Sequence, residues 1–135
     1  MIKTVTTAAQ LICLNAYLYE KEKNGNGGDE KKVTRFRLSR KTLCVCSGRK
    51  ILKTSFLNEL QEAMLDLGWV IFQLGDGSFG VVKESRAMAW TRLSSKRLKN
   101  SGMTEGSLLA KSDDFVDNLY DAIFPETEDE VEDDE

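Results

Sequence analysis

The stretch LSRKTLCVCSGRKILKTSFLNELQEAMLDLGWVIFQLGDGSFGVVK, residues 38–83, decides the fold. It contains two helix-like patterns joined by Ser47-Gly48, then a hairpin pattern around Asp76-Gly77. Ser39 offers an N-cap for a brief helix from Arg40 to Cys46, with Leu43 and Cys46 inward. Gly48 can end it, because glycine enters the left-handed conformation without a Cβ penalty. From Arg49 to Leu67, the residues Leu52, Phe56, Leu57, Leu60, Ala63, Met64 and Leu67 form one wide apolar stripe. That stripe predicts the strongest helix of the chain, with Lys50, Lys53, Thr54, Asn58, Gln61, Glu62 and Asp66 outside it and Gly68 as its stop. Two runs rich in β-branched and aromatic residues follow, 69–74 and 79–83, and Asp-Gly between them predicts a hairpin. Trp69, Phe72, Phe79 and Trp90 are read as core beneath this hairpin rather than as a base-stacking platform. Gly75, Gly77 and Gly80 are read as turn chemistry, since they lack the Gly-Lys-Ser/Thr ending of a phosphate loop.

Upstream, Val33 to Leu38 alternates apolar and polar side chains and is the length of one strand. Residues 4–23 read as a helix: Ala8, Leu11, Ile12, Leu14 or Asn15, Leu18 and Tyr19 recur at helical spacing, and Thr6 or Thr7 could cap it. A polar loop, Asn24 to Asp29, follows. Downstream, Ser85 could cap a helix from Arg86 to about Lys99, with Ala87, Trp90, Leu93 and Leu98 inward. Leu108 to Phe124 reads as an acidic amphipathic helix, with Phe115, Leu119, Tyr120, Ile123 and Phe124 against Asp113, Asp114, Asp117 and Asp121. Pro125, the one proline, ends it. The expected organisation is a domain over 1–100, the acidic helix over 101–125 and a disordered acidic tail over 126–135.

The net charge of −3 hides two opposed blocks. Between Lys31 and Lys99 fifteen Lys or Arg face five acids, a surplus of +10. Residues 100–135 carry one Lys and thirteen acids, or −12. A positive field of that size attracts polyanions at long range.

Histidine is absent, which removes the usual general base near neutral pH and every Ser–His or Cys–His nucleophile pair. No carboxylate or lysine constellation replaces it, so a non-enzyme is expected. Three cysteines, an odd number, argue against a disulfide framework and are read as reduced packing residues. No metal and no cofactor is expected. No run reaches the roughly eighteen apolar residues of a membrane span, and no apolar leader follows Lys3, so a cytoplasmic protein is expected.

The order helix, strand, helix, turn, helix, hairpin resembles the winged helix-turn-helix superfamily of DNA-binding domains over about residues 5–83. The pieces that carry the resemblance are RFRL (35–38), SRKTLCVCSG (39–48), the long helix ending in LGW (67–69) and IFQLGDGSFGVV (71–82). In that superfamily the helix after the turn enters the major groove and the wing touches adjacent backbone. The resemblance therefore implies a groove-facing set of Arg49, Lys50, Lys53, Thr54, Ser55 and Asn58. Ser39, Arg40 and Lys41 would hold phosphate at the preceding helix, Ser78 and Lys83 would belong to the wing, and Arg35 and Arg37 complete the basic set. Against it, Glu59, Glu62 and Asp66 would repel phosphate wherever they faced it.

The fold class implied is α+β, mostly helical, with an acidic helix and tail appended. The expected function is double-stranded DNA binding by a homodimeric transcriptional regulator of a bacterial or mobile-element operon. Two alternatives stand beside it. One is a protein–protein adaptor in a nucleoprotein or defence complex, working through Phe115, Leu119, Tyr120, Ile123 and Phe124. The other is a phage or plasmid inhibitor whose acidic tail mimics DNA.

Overall fold

The computed structural model describes residues 1–25 and 31–126. About half the chain is helical, and the strands form one small antiparallel sheet. Two compact units divide the chain, Met1–Trp90 and Thr91–Glu135. The first thus ends ten residues short of the expected boundary at 100.

In the first unit, helix α1 spans Val5–Asn24 and is capped by Thr4, whose hydroxyl accepts from the Thr7 amide, not by Thr6 or Thr7. Its buried face is Ala8, Ala9, Ile12 and Ala16, so small residues let it lie close to its neighbours. Leu14, Leu18 and Tyr19, expected inward, are exposed. The periodicity marks a helix but cannot say which of its two apolar rows meets the core. Strand β1 is Arg35–Leu38, shorter than the pattern suggested. Helix α2, Arg40–Ser47, begins and ends as its sequence predicts: Ser39 Oγ accepts from the Thr42 amide, and Gly48 turns left-handed at φ 71.

The next helix differs from expectation. α3 spans Thr54–Asp66, not Arg49 to Leu67. Leu52 is buried at helical spacing from Phe56, but it reaches the core from an extended turn, not from a helix. Three contacts hold that turn open. Cys44 Sγ donates to the Lys50 carbonyl, the Lys3 amide donates to the Ser47 carbonyl, and Arg49 donates to the carbonyls of Lys3 and Ser47. Leu67, expected in the stripe, sits at the helix end and is exposed.

Strands β2, Trp69–Gln73, and β3, Phe79–Lys83, form the hairpin, and the sheet order is β1-β3-β2. The Gly77 amide donates to the Leu74 carbonyl and the Leu74 amide to the Ser78 carbonyl, with Gly77 at φ 88. The turn over Leu74–Gly77 thus ends on a left-handed glycine, as three-residue hairpin connections commonly do. Phe36, Leu38, Ile71, Phe79 and Val81 share the inner face. They close a core with Leu43, Phe56, Leu60 and Met64. Trp69 and Phe79 are buried as expected. Phe72, at 41% exposure, and Trp90, at 63%, are not core residues.

A short helix α4, Glu84–Met88, closes the unit, with Lys83 in the capping position and Ser85 inside the helix. The helix expected from Arg86 to Lys99 is therefore two pieces. α5 is Lys96–Lys99, in the second unit, and Trp90, Leu93 and Leu98 are exposed. Their spacing is helical, but they meet no core that would repay ordering the intervening backbone.

The second unit continues with a 3-10 turn at Leu108–Ala110 and helix α6, Asp113–Ile123, capped by Ser112. One helix from Leu108 to Phe124 was expected; the chain instead breaks at Lys111-Ser112, where Ser112 takes up the free amide of Phe115. The tail beyond Glu126, with its expected disorder, and most of the loop after Gly25 lie outside the described residues. Among the described residues no helix is long and apolar enough to cross a membrane.

Candidate nucleic-acid interface

The helical rows of α3 separate its polar groups. Phe56, Leu60 and Met64 are buried, and the exposed residues split to either side. Thr54, Asn58 and Gln61 recur at four and three residues, and across a cleft of about 150 Å³ they meet Phe72 and Gln73 of β2. Glu59, Glu62 and Asp66 make a second row on the flank away from the hairpin, by the same periodicity. The acids that threatened phosphate contact thus leave the hairpin side of α3 neutral and rich in hydrogen-bonding groups. Gln61 and Gln73 were not singled out from the sequence. The signal for Gln61 was available in its spacing from Thr54 and Asn58, whereas Gln73 needed the pairing of β2 with α3.

Basic residues gather beside the start of α3. Lys50, Lys53 and Ser55 line, with Ile2 and Glu59, a depression of about 600 Å³. Lys53 occupies the capping position without a side-chain hydrogen bond to the helix, so the first amides of α3 have no side-chain acceptor there. α2 is the reverse case: Ser39 Oγ is spent on the Thr42 amide and on the Thr42 hydroxyl. The free helix start, with its partial positive charge, therefore belongs to α3 and not to α2. Arg40 and Lys41 remain exposed at the start of α2. That start follows directly on Leu38, which pairs with Phe79 beside the hairpin turn.

Four of the expected contacts have other surroundings. Arg49 donates to two backbone carbonyls and lies 4.1 Å from the centre of the Phe56 ring, so it fastens the residues before α1 to the turn. Ser78 donates through its amide and hydroxyl to Asp76 Oδ1, at 2.9 and 2.6 Å. Those bonds, chiefly the hydroxyl one, hold the Asp76 carboxyl below its ordinary value, with Arg37 contributing. Lys83 pairs with Trp69 at the end of the hairpin farthest from its turn, with its ammonium 5.5 Å from the Trp69 ring centre. It also looks toward α1: burial pushes the Cys13 thiol up, and the Lys83 charge pulls partly back. Arg35 pairs with Val82 and stands at that same far end of the sheet.

The brought-together set is thus Lys50, Lys53, Thr54, Ser55 and Asn58, joined by Gln61 and Gln73, with Arg40 and Lys41 toward the turn end of the hairpin; Arg37, in the row of Gly80 and Phe72, lies on the other face of the sheet. Among the described residues one ion pair forms, Lys32 with Glu20, so the basic groups of this surface keep their charge available.

In the second unit, the apolar row of α6 is not covered. Phe115, Tyr120, Ile123 and Phe124 are exposed and Leu119 is half-buried. Tyr120 and Phe124 pack ring to ring at 4.8 Å, and Val116, unmarked in the sequence reading, joins them on the exposed surface. Among the described residues, no three His, Cys, Asp or Glu side chains gather as a metal site. Comparisons with protein-family models, with curated proteins and with solved structures each found no match.

Proposed function

We propose that residues 1–90 form a winged helix-turn-helix that binds double-stranded DNA, and that the chain acts as a cytoplasmic transcriptional regulator. The observation that carries this reading is the placement of the neutral row Thr54, Asn58 and Gln61 on α3, opposite Gln73 and beside Lys50 and Lys53. Asn and Gln match the donor and acceptor pair on an adenine edge, and lysines at a free helix start match a phosphate. With α3 entering the major groove by its first two turns, the hairpin would run along the flanking backbone. Glu62 and Asp66 would then lie off the hairpin side, whereas Glu59, which borders the Lys50–Lys53 depression, would oppose phosphate there. A second copy would supply the second half-site, and Leu14, Tyr17 and Leu18 of α1 offer an exposed apolar row for it.

The test is duplex binding by fluorescence anisotropy across a salt series, first with a random pool and then with the selected sequence. Lys50→Ala and Lys53→Ala should weaken all sequences alike, each lowering the salt slope by about one. Asn58→Ala should cost about tenfold on the selected sequence and relax preference at one base position. No duplex binding at low salt by the folded protein overturns the reading.

A second reading rests on the exposed row of α6. A helix that keeps Phe115, Tyr120 and Phe124 uncovered beside Asp113, Asp114, Asp117 and Asp121 is suited to a partner with a basic, apolar groove. Partner capture that survives Lys50→Glu with Lys53→Glu and is lost with Tyr120→Asp would favour this adaptor role.

A further inference from the structure

The outer face of the sheet, opposite the core, carries side chains that duplex reading by α3 does not use. Across it, Arg37 pairs with Gly80 and Gly80 with Phe72, and in the next row Arg35 pairs with Val82 and Val82 with Val70. Gly80 is what makes the first row unusual. A Cβ built there would stand 2.6 Å from the outer edge of the Phe72 ring, so the ring lies across the bare glycine toward Arg37. An aromatic in a strand normally stands on its own side of the sheet. This one is laid over the central strand with 41% of its surface exposed. At the other end of the same face, Arg35, Arg86 and Trp90 line a depression of about 230 Å³ over Val82. Among the described residues no carboxylate forms an ion pair with Arg35, Arg37 or Arg86.

We propose that this face binds single-stranded nucleic acid, with bases stacking on Phe72 and Trp90 and phosphates held by Arg35, Arg37 and Arg86. Three physical points select that occupant. Three arginines that form no ion pair among the described residues, Arg37 feeling the Asp76 charge without a salt bridge to it, suit a polyanion. Exposed rings resting on a sheet call for a planar apolar group on each, and only unpaired bases supply planes and phosphates together along one chain. In a duplex those planes are already stacked and out of reach. The face is distinct from the cleft between α3 and β2. Phe72 borders both, but its ring is aimed over Gly80, while the hydrogen-bonding groups of the cleft come from Thr54, Asn58, Gln61 and Gln73.

The experiment uses the full chain, a short fluorescent oligothymidylate, a duplex of equal length, and heparin and an acidic aromatic peptide as competitors. The oligothymidylate should bind in a salt-dependent way, and Phe72→Ala should weaken it about tenfold while Phe72→Tyr retains it. Gly80→Ala should weaken it as well, because the new methyl drives the ring off the central strand. Arg37→Ala should lower the salt slope. Lys53→Ala with Asn58→Ala should leave single-strand affinity unchanged, which separates this surface from the duplex reading. Melting curves of each variant confirm that it is folded. The proposal is overturned if the folded wild type does not bind the oligothymidylate at low salt, or if Phe72→Ala binds as the wild type does. Equal displacement by heparin and by unlabelled oligothymidylate, or preferential capture of the acidic peptide, also overturns it.

Discussion

In the unit Met1–Trp90, the apolar face of α3 meets α1 and β2 and leaves solvent, with Leu60 and Met64 fully buried. In the unit Thr91–Glu135, α6 is at least as cleanly amphipathic, yet none of its residues is buried. The two helices also differ in charge context. The first unit has fourteen Lys and Arg against nine acids, and the second has five against thirteen. An amphipathic pattern promises a face that wants covering. Whether it is covered depends on how much other apolar surface lies within reach. α3 has a sheet, a small-residue helix and a turn leucine to close upon, whereas α6 has a short 3-10 turn and polar connections. The same pattern is core in one place and is left exposed in the other.

The largest test of that contrast is a pair of leucines. Leu60→Ala should destabilise the protein by about 3 kcal/mol, through lost transfer energy and a residual cavity. Leu119→Ala, at a half-buried position of the other unit, should move the main unfolding transition, that of the first unit, by less than about 0.5 kcal/mol. Denaturant melts read both. A comparable loss at Leu119 would mean that α6 is covered in solution and would break the comparison.

A pair of glycines sharpens it further. Gly48 and Gly106 both sit in the left-handed region, at φ 71 and 81. A methyl at Gly48 would collide with the Met1 carbonyl, while at Gly106 it would meet open space. Gly48→Ala should cost about 2 kcal/mol, conformational strain plus displacement of the segment that Arg49 and Ser47 hold in place. Gly106→Ala should carry only the conformational part and leave the melting of the first unit unchanged.

The smallest effect lies in the hairpin turn. Asp76 is fully exposed, and its carboxyl is held below 3.8 chiefly by the Ser78 hydroxyl. Because the folded value is the lower one, this contribution is present above the unfolded value and is lost as the pH falls through the folded value. Ser78→Ala should return the Asp76 carboxyl toward its ordinary titration, read by NMR. Stability should then fall slightly at neutral pH and stay unchanged below the folded value, so that the acid limb flattens.

Some of this was legible residue by residue. Ser39 and Gly48 bracket α2 because each satisfies or permits a local backbone geometry, and such signals do not depend on distant contacts. The hairpin was legible for the same reason, as Asp76-Gly77 encodes its own turn. The helical run from Arg49 was not, because Leu52 and Phe56 share a spacing that a buried turn can imitate. That turn is fixed by Cys44 and Ser47 next to it and by Lys3, whose carbonyl accepts from Arg49, 46 residues away. Within the interface, Lys50, Lys53 and Asn58 were marked by residue type and place. Arg49, Ser78 and Lys83 were marked by the same logic, and nearer partners engaged them: carbonyls, a carboxylate and an indole.

By itself, the sequence determined where α2 begins and ends, where the chain reverses in the hairpin, and how the charge divides. All three follow from local backbone preference or from simple counting. Tertiary structure alone decided which row of α1 is buried, which flank of α3 carries the acids relative to the hairpin, and which aromatics are core. It sent Trp69 and Phe79 inward and laid Phe72 over Gly80, because a strand offers two faces. Only the partner on each face determines which one becomes the inside.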